Sequence, residues 1–378
     1  MYKEVITIKK ILFGITSLTL GGAERVLVDI SNKLSEKYDI TIFSIYDNGE
    51  LKNDLNKNVK FKALYNCRYD ELTKLQKMWI PIKILLFSKI IYNKKIKQNY
   101  DTEIAFLEGP ITRLFSTKNK DVHKIAWIHN DIEKVFGNDL KSKIKKYIDK
   151  NIYKKYDDLV FVSQDNMEKF QNIYNDLNTE NMHVIYNYID KDLVIKKSNY
   201  NIKVEFDYNS INFLTVCRLV KQKAIDRFIR VHSKLIKQGL KHRVYIIGDG
   251  PEKENLQKLI KQENVEDTFI LLGKKENPYP YIKNANYFCL LSEFEGYGMV
   301  LEEAKILNKP IIITNTAARE CIENYPKALI LENSEDEIYD GLYKLLNDND
   351  DKIFNNTQTN TEYDNTEKLQ KIIELVGD

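Results

Sequence analysis

The sequence predicts an α/β protein of two domains in series, each a largely parallel sheet covered by helices on both faces. Three observations predict it. Apolar runs of strand length alternate with amphipathic helical runs along the chain. The strand-like runs are almost continuously apolar, which suits strands buried on both faces. The alternation pauses once, over the polar, Lys/Asn-rich residues 191–209. A chain of 378 residues divides naturally at such a pause, since domains run to roughly 100–200 residues.

In the first half, KKILFGIT reads as a strand, followed by a helix from Gly22 to Glu36. DITIFSIY, TEIAFLE, HKIAWIH and DLVFVS read as further strands, with helices over Asp70–Lys97 and Ile132–Tyr153. This domain spans residues 1–190. After the linker at 191–209, the second domain spans 210–347, with strands NFLTVCRL, RVYIIGD, TFILLG, NYFCLLS, PIIIT and ALILE. Its helices fall over Lys223–Gln238, Pro251–Gln262 and Gly298–Leu307. Residues 348–378 read as a polar tail with a short closing helix from about Thr366.

Hydrophobic residues make up 43% and charged residues 30%, enough to bury a core in each half. The net charge of +3 gives no reason to expect a nucleic-acid partner. Cys67, Cys217, Cys289 and Cys321 form no CxxC pair and read as buried, reduced thiols in a cytoplasmic protein. Lys9-Lys10 before ILFGITSLTL reads as the approach to a first strand rather than a leader. The stretch from Met78 to Tyr92 is the most apolar, but Lys83, Lys89 and Pro81 interrupt it, so it falls short of the ~20 apolar residues of a spanning helix.

In open α/β sheets, ligands bind outside the carboxyl ends of the strands. With two such domains, the expected site lies in the cleft between them. After the first strand, Gly21-Gly22 precede a helix, whose start offers N–H groups to an anion. In VCRLVKQKA, Arg218 ends a strand and Lys223 opens a helix, and both can converge on a diphosphate. The bland alternative is two solvated cations. In SEFEGYGMVLEEA, Glu295 precedes a glycine loop, and Gly298, Met299 and Val300 begin a helix that carries Glu303. That helix start can hold phosphate oxygens, while Glu295 and Glu303 can accept bonds from sugar and ribose hydroxyls. Glu302 beside them reads as a solvated helix residue. His129 ends the strand KIAWIH, and Glu108 and Asn130 at strand ends join it as candidates on the acceptor side. Asp157-Asp158 stands at a strand's start and reads as ordinary surface, so no metal is expected.

The motif EGYGMVLEEA resembles the E-x7-E signature of the retaining glycosyltransferases of family 4, which have the GT-B fold. LGGAER, CRLVKQKA, IIGDGPEKENL and LLGKKENPYPYIKNA fall in the family's order around it, over roughly residues 10–345. The resemblance implies two Rossmann-like domains facing across a central cleft. The first would bind the acceptor and the second the nucleotide sugar. Arg218 and Lys223 would stabilise the leaving diphosphate, and Gly21-Gly22 would line it. Glu295 would contact the donor sugar, Glu303 the ribose, and His129 the transferred sugar and acceptor. It also implies a UDP-sugar donor, no cofactor, and a glycan or lipid-linked acceptor in envelope polysaccharide synthesis, such as capsule or lipopolysaccharide. Two positions depart from the pattern: Cys217 and Ala224 stand where the family has glycine.

Three rival readings remain. A GT-B nucleotide-sugar epimerase would need no acceptor. A dinucleotide dehydrogenase would want G-x-G-x-x-G, which TLGGAER lacks. A non-catalytic saccharide-binding protein would have no use for Arg218, Lys223, Glu295 and Glu303 together. A final expectation concerns KMWIPIKILLFSKIIYNKKIKQNY, which interleaves apolar and aromatic residues with Lys77, Lys83, Lys89, Lys94, Lys95 and Lys97. It docks peripherally on the anionic inner face of the plasma membrane, the alternative being an ordinary sheet-covering helix whose apolar face is core. If both hold, only the Lys-rich end (Lys94, Lys95, Lys97) touches lipid.

Overall fold

The computed structural model describes residues 8–47, 49–96, 100–117, 119, 121–130, 140–347, 354 and 363–377. The chain divides into two compact units. One comprises Met1–Ile189 with Asn365–Asp378, and the other Asp190–Asp364.

The first unit holds a seven-stranded sheet in the order β3-β2-β1-β4-β5-β6-β7. Its strands are β1 (Lys10–Ile15), β2 (Asp39–Tyr46), β3 (Lys60–Tyr65), β4 (Thr102–Ala105), β5 (His123–Ile128), β6 (Asp158–Phe161) and β7 (Met182–Val184). Every pairing is parallel. Parallel pairing demands a crossover between successive strands. The helices α1 (Gly22–Leu34), α2 (Lys74–Ile91) and α3 (Pro110–Phe115) are three of these. The approach of α3 depends on Gly14 of β1, where a Cβ would lie 2.5 Å from the Phe115 ring.

Both edge strands, β3 and β7, were absent from the sequence expectation. KFKALY alternates lysine with apolar residues and is only half covered, and MHV is three residues long. The helix expected over Ile132–Tyr153 is seen from Leu140 to Tyr153, and its first part lies outside the described residues.

The second unit holds a six-stranded parallel sheet in the order β10-β9-β8-β11-β12-β13. Its strands are β8 (Ile211–Val216), β9 (His242–Ile247), β10 (Phe269–Gly273), β11 (Tyr287–Leu290), β12 (Ile311–Thr314) and β13 (Ala328–Leu331). All six were legible as apolar runs.

Part of the stretch expected as a linker, 191–209, is a helix, Lys191–Ser198, which belongs to the second unit. Asp190 caps it by accepting from Leu193 N at 2.9 Å, and Val194 and Ser198 are buried. Most of the polar tail lies outside the described residues. The closing helix Thr366–Gly377 belongs to the first unit, where Ile372 and Val376 are buried and Val376 O accepts from Thr102 Oγ1 at 3.3 Å.

Three local expectations need correction. Cys67 and Cys217 are only partly buried, unlike Cys289 and Cys321, and all four are free thiols. Asp158 is not ordinary surface: its two oxygens engage His123 Nε2 and His183 Nε2, each at 2.6 Å, across β5, β6 and β7. The third correction concerns α2. Only Ile80, Ile84 and Ile91 of this helix are buried, and its larger apolar face points outward. Among the described residues, no helix is long and apolar enough to cross a membrane.

Beneath the first sheet lies a buried ion pair. Lys124 Nζ meets Glu103 Oε2 at 2.6 Å and Phe115 O at 2.9 Å, and Tyr92 Oη donates to Glu103 Oε1 at 2.6 Å. Removing one partner leaves a buried charge uncompensated. Lys124→Met should therefore lower unfolding free energy by about 3–5 kcal/mol in urea titrations. Lys124→Met combined with Glu103→Gln should lose less than the single variant.

Candidate functional site

At the carboxyl end of β8 the backbone continues against the end of β9. Cys217 N donates to Ile247 O and Leu219 N to Asp249 O, both at 3.0 Å. This contact explains the glycines of IIGDG. A Cβ on Gly248 (φ +147°) would lie 1.8 Å from Cys217 O, and one on Gly250 would lie 2.3 Å from Leu219 O. Only glycine permits so close a backbone approach. Between these anchors Arg218 is exposed, with no side-chain partner among the described residues.

Next comes one turn, Lys221–Lys223, then Ala224, then the helix Ile225–Lys237. Ala224 adopts the left-handed conformation (φ 47°, ψ 37°), which accounts for the family's glycine there. The turn clamps the loop after β11. Gln222 O accepts from Glu293 N, and Gln222 Nε2 donates to Phe294 O, both at 2.9 Å. The clamp brings Lys223 and Glu295 together: Lys223 Nζ bonds Glu295 Oε1, and Ser292 Oγ donates to the same oxygen at 2.5 Å. Thr314 Oγ1 of β12 holds Ser292 O at 2.6 Å. Glu295 is thus buried and held by two partners.

Gly298 (φ +75°) turns the chain into the helix Met299–Ile306, and no side chain caps that helix start. The first N–H groups of a helix lack intrahelical acceptors, so the start at Met299 and Val300 suits an anion. Glu302 and Glu303 then part company. Glu302 is buried, accepts from Tyr297 Oη and lies 3.4 Å from Lys305 Nζ. The expectation of a solvated Glu302 is therefore wrong: its place on the helix points it inward. Glu303 is partly exposed and accepts from Tyr279 Oη at 3.1 Å.

In the first unit, Gly21 is the extended residue before α1, and its carbonyl accepts from Arg25 N at 3.0 Å. Glu24, not singled out in the sequence, folds back over this start. A Cβ on Gly21 would lie 2.2 Å from Glu24 Oε2, and burial raises the Glu24 pKa. An acid in the first turn complements the helix dipole, so this helix start, including Gly22, already faces a carboxylate.

Glu108, His129 and Asn130 form one cluster after β4 and β5. Glu108 Oε1 accepts from both His129 N and Asn130 N at 2.7 Å, and Oε2 accepts from Asn130 Nδ2 at 2.9 Å. Burial raises the Glu108 pKa, and those N–H groups pull the other way. The carboxylate thereby fixes the backbone that carries His129. The His129 ring packs on Phe106 (centroids 4.7 Å apart) and runs nearly parallel to Trp127. Its Nε2 is buried with no hydrogen-bond partner among the described residues.

Burial pushes the His129 pKa down to about 3. The folded ring is then neutral, while the unfolded ring takes up a proton below its ordinary pKa of about 6.5. This contribution is complete above about pH 6.5 and is lost as pH falls toward 3. His129→Asn should therefore reduce the loss of stability between pH 6 and 4 by up to about 1.4 kcal/mol per pH unit, read from urea titrations along a pH series.

Residues 196–362 match the family model "Glycosyl transferases group 1". Over 88% of this chain and 89% of the relative, the sequence is 28% identical to the N-acetylgalactosamine-N,N'-diacetylbacillosaminyl-diphospho-undecaprenol 4-alpha-N-acetylgalactosaminyltransferase of Campylobacter jejuni. It is 24% identical to the O-antigen biosynthesis glycosyltransferase WclY of Escherichia coli, over 81% and 80% of the two chains. Among solved structures, HepE of Anabaena with UDP and glucose aligns with TM-score 0.71 at 15% identity, covering 98% of this chain and 99% of that one. TarM aligns with TM-score 0.73 at 16% identity over the whole of both chains. Residues 196–362 thus carry the match to the group 1 glycosyl transferases, and the chain has the fold of the similar glycosyltransferase structures, GT-B.

Proposed function

We propose that the protein transfers a hexosyl group from a nucleotide-diphosphate sugar to a glycan or lipid-linked saccharide, with retention and without a metal. The observation that carries this is the grouping at the end of β8: exposed Arg218, Lys223 held on Glu295, and the uncapped helix start at Gly298. UDP is the favoured nucleotide because the similar HepE structure holds UDP. The undecaprenol-linked substrate named for the Campylobacter relative and the O-antigen role of WclY support an acceptor in envelope polysaccharide synthesis.

The chemistry follows from charge. As the bond from the anomeric carbon to the β-phosphate oxygen breaks, negative charge gathers on that oxygen. Arg218, Lys223 and the N–H groups at Met299 and Val300 meet it. The acceptor oxygen attacks from the face the phosphate leaves, and its proton passes to a phosphate oxygen. Glu303 holds the ribose hydroxyls and Glu295 the donor sugar, with Lys223 fixing the Glu295 carboxylate. In the first unit, Gly21-Gly22 attend the diphosphate, His129 and Asn130 serve the acceptor side, and Glu108 acts through them by positioning their backbone. For the helix start at Gly21-Gly22 to take an anion, Glu24 must move aside or bind protonated.

Arg218 gives the cleanest test, because its exposure leaves it no role in holding the fold. Arg218→Ala should lower kcat by about 10²–10³ with an unchanged melting temperature. Glu303→Ala should chiefly raise KM for the donor, whereas Glu295→Ala should lower kcat. Wild-type turnover in all three would reject the assignment.

Activity should also survive EDTA, since the two cations neutralise the diphosphate. Loss on chelation that Mg²⁺ or Mn²⁺ restores would overturn the metal-free mechanism. The epimerase reading predicts an isomerised nucleotide sugar in the absence of acceptor, which chromatography of the products separates from transfer.

A further inference from the structure

A helix that is apolar all round belongs in a core. α2 is apolar nearly all round yet buried on one side only. Ile80, Ile84 and Ile91 pack inward, while Leu75, Met78, Trp79, Ile82, Leu85, Leu86 and Ile90 are exposed. At about 100° per residue, the six that precede the break at Phe87 fall within an arc of roughly 120°, opposite Ile80 and Ile84. A continuous face this large on one helix marks an interaction surface. Beside it a groove of about 500 Å³, lined by Tyr65, Cys67, Leu72, Trp79, Leu86 and Phe87, extends the apolar surface toward the loop after β3.

Charge selects the occupant. Residues 72–96 contain six lysines (Lys74, Lys77, Lys83, Lys89, Lys94 and Lys95) and no acidic residue. All six are exposed except Lys77, whose Nζ lies 4.8 Å above the Tyr69 ring. An apolar stripe bordered by lysines is the pattern of a helix lying in the plane of an anionic bilayer, with its apolar side at the acyl boundary and its ammonium groups among phosphates. We propose that α2 docks the protein on anionic membrane by inserting this outward face, rather than by touching the surface with its Lys-rich end alone. The inference does not depend on the transfer chemistry, so the two can fail separately.

The sequence supplies its own reporter. It contains two tryptophans. Trp127 is 1% exposed, whereas Trp79 is 58% exposed on the outward face. On mixing the full chain with vesicles of phosphatidylcholine and phosphatidylglycerol, Trp79 emission should shift to the blue, and brominated acyl chains should quench it. Trp79→Phe should abolish both signals.

Leu75→Glu with Leu86→Glu lies at positions 66% and 67% exposed, so the fold should survive, as the melting temperature will show. Vesicle partitioning of this double variant should fall at least about tenfold. Three outcomes would overturn insertion. The first is no blue shift and no co-sedimentation with these vesicles at low salt. The second is complete release of bound protein at about 1 M NaCl, where charges are screened beyond about 3 Å, because that is adsorption through lysine alone. The third is self-association in solution that buries Trp79 before lipid is added, because the face would then belong to a second copy.

Discussion

Parallel strand pairing is the constraint on which the rest of the structure depends. In both sheets every strand runs with its neighbours, so each must be followed by a crossover that covers a face. Coverage on both sides makes the strands apolar throughout. It also gathers all the carboxyl ends along one edge of each sheet, where the backbone is free to carry function. Gly21, Glu108 and His129 follow β1, β4 and β5, and Arg218 and Glu295 follow β8 and β11. None is near its partners in sequence, yet strand order sets each group side by side. β8 and β11 are neighbours in the second sheet, and that adjacency brings Lys223 to Glu295 across 72 positions.

The Lys223–Glu295 pair then shows how such an edge becomes rigid. An ion pair this covered gains little net stability, because both groups lose hydration. Its value is specificity of position. Gln222 clamps the 293–294 backbone, and Ser292, itself held by Thr314, completes the coordination of the carboxylate. A carboxylate with two fixed partners keeps its remaining oxygen in a defined direction. Glu108 uses the same device in the first unit, where a partly covered carboxylate fixes two backbone N–H groups and so the ring of His129. In each case the acid ties its own loop to the loop after the neighbouring strand.

Much of this was legible in the sequence, and the limits have physical reasons. Strands covered on both faces announce themselves as apolar runs, so all six strands of the second sheet could be read. β3 and β7 could not, because KFKALY breaks its apolar run with lysines and MHV is only three residues long. Pairs of adjacent acids posed a second problem. Glu302 and Glu303 look alike in sequence, but about 100° of helix rotation sends one into the core against Tyr297 and leaves the other accessible. The buried Leu301 and Ala304 do not distinguish them, because at about 100° per residue both acids lie equally far from that pair. Glu24 was missed because nothing local shows that a first-turn acid will fold back on its own glycine.

The hardest feature to read was α2, where periodicity fails by excess rather than by absence. With apolar residues on every side there is no contrast to say which face is core, and Pro81 and the non-helical Phe87 blur the register further. The expectation that the whole apolar face packs inward follows from supposing that such residues always seek the protein's own interior. Sheet geometry limits that supply: a helix crossing over a flat sheet can bury one stripe, here Ile80, Ile84 and Ile91. Apolar residues beyond that stripe are not needed by the fold, and in water they weaken solubility. Their presence on a helix that, with the five residues after it, carries six lysines and no acid fits a second solvent, one that is apolar within and anionic at its surface.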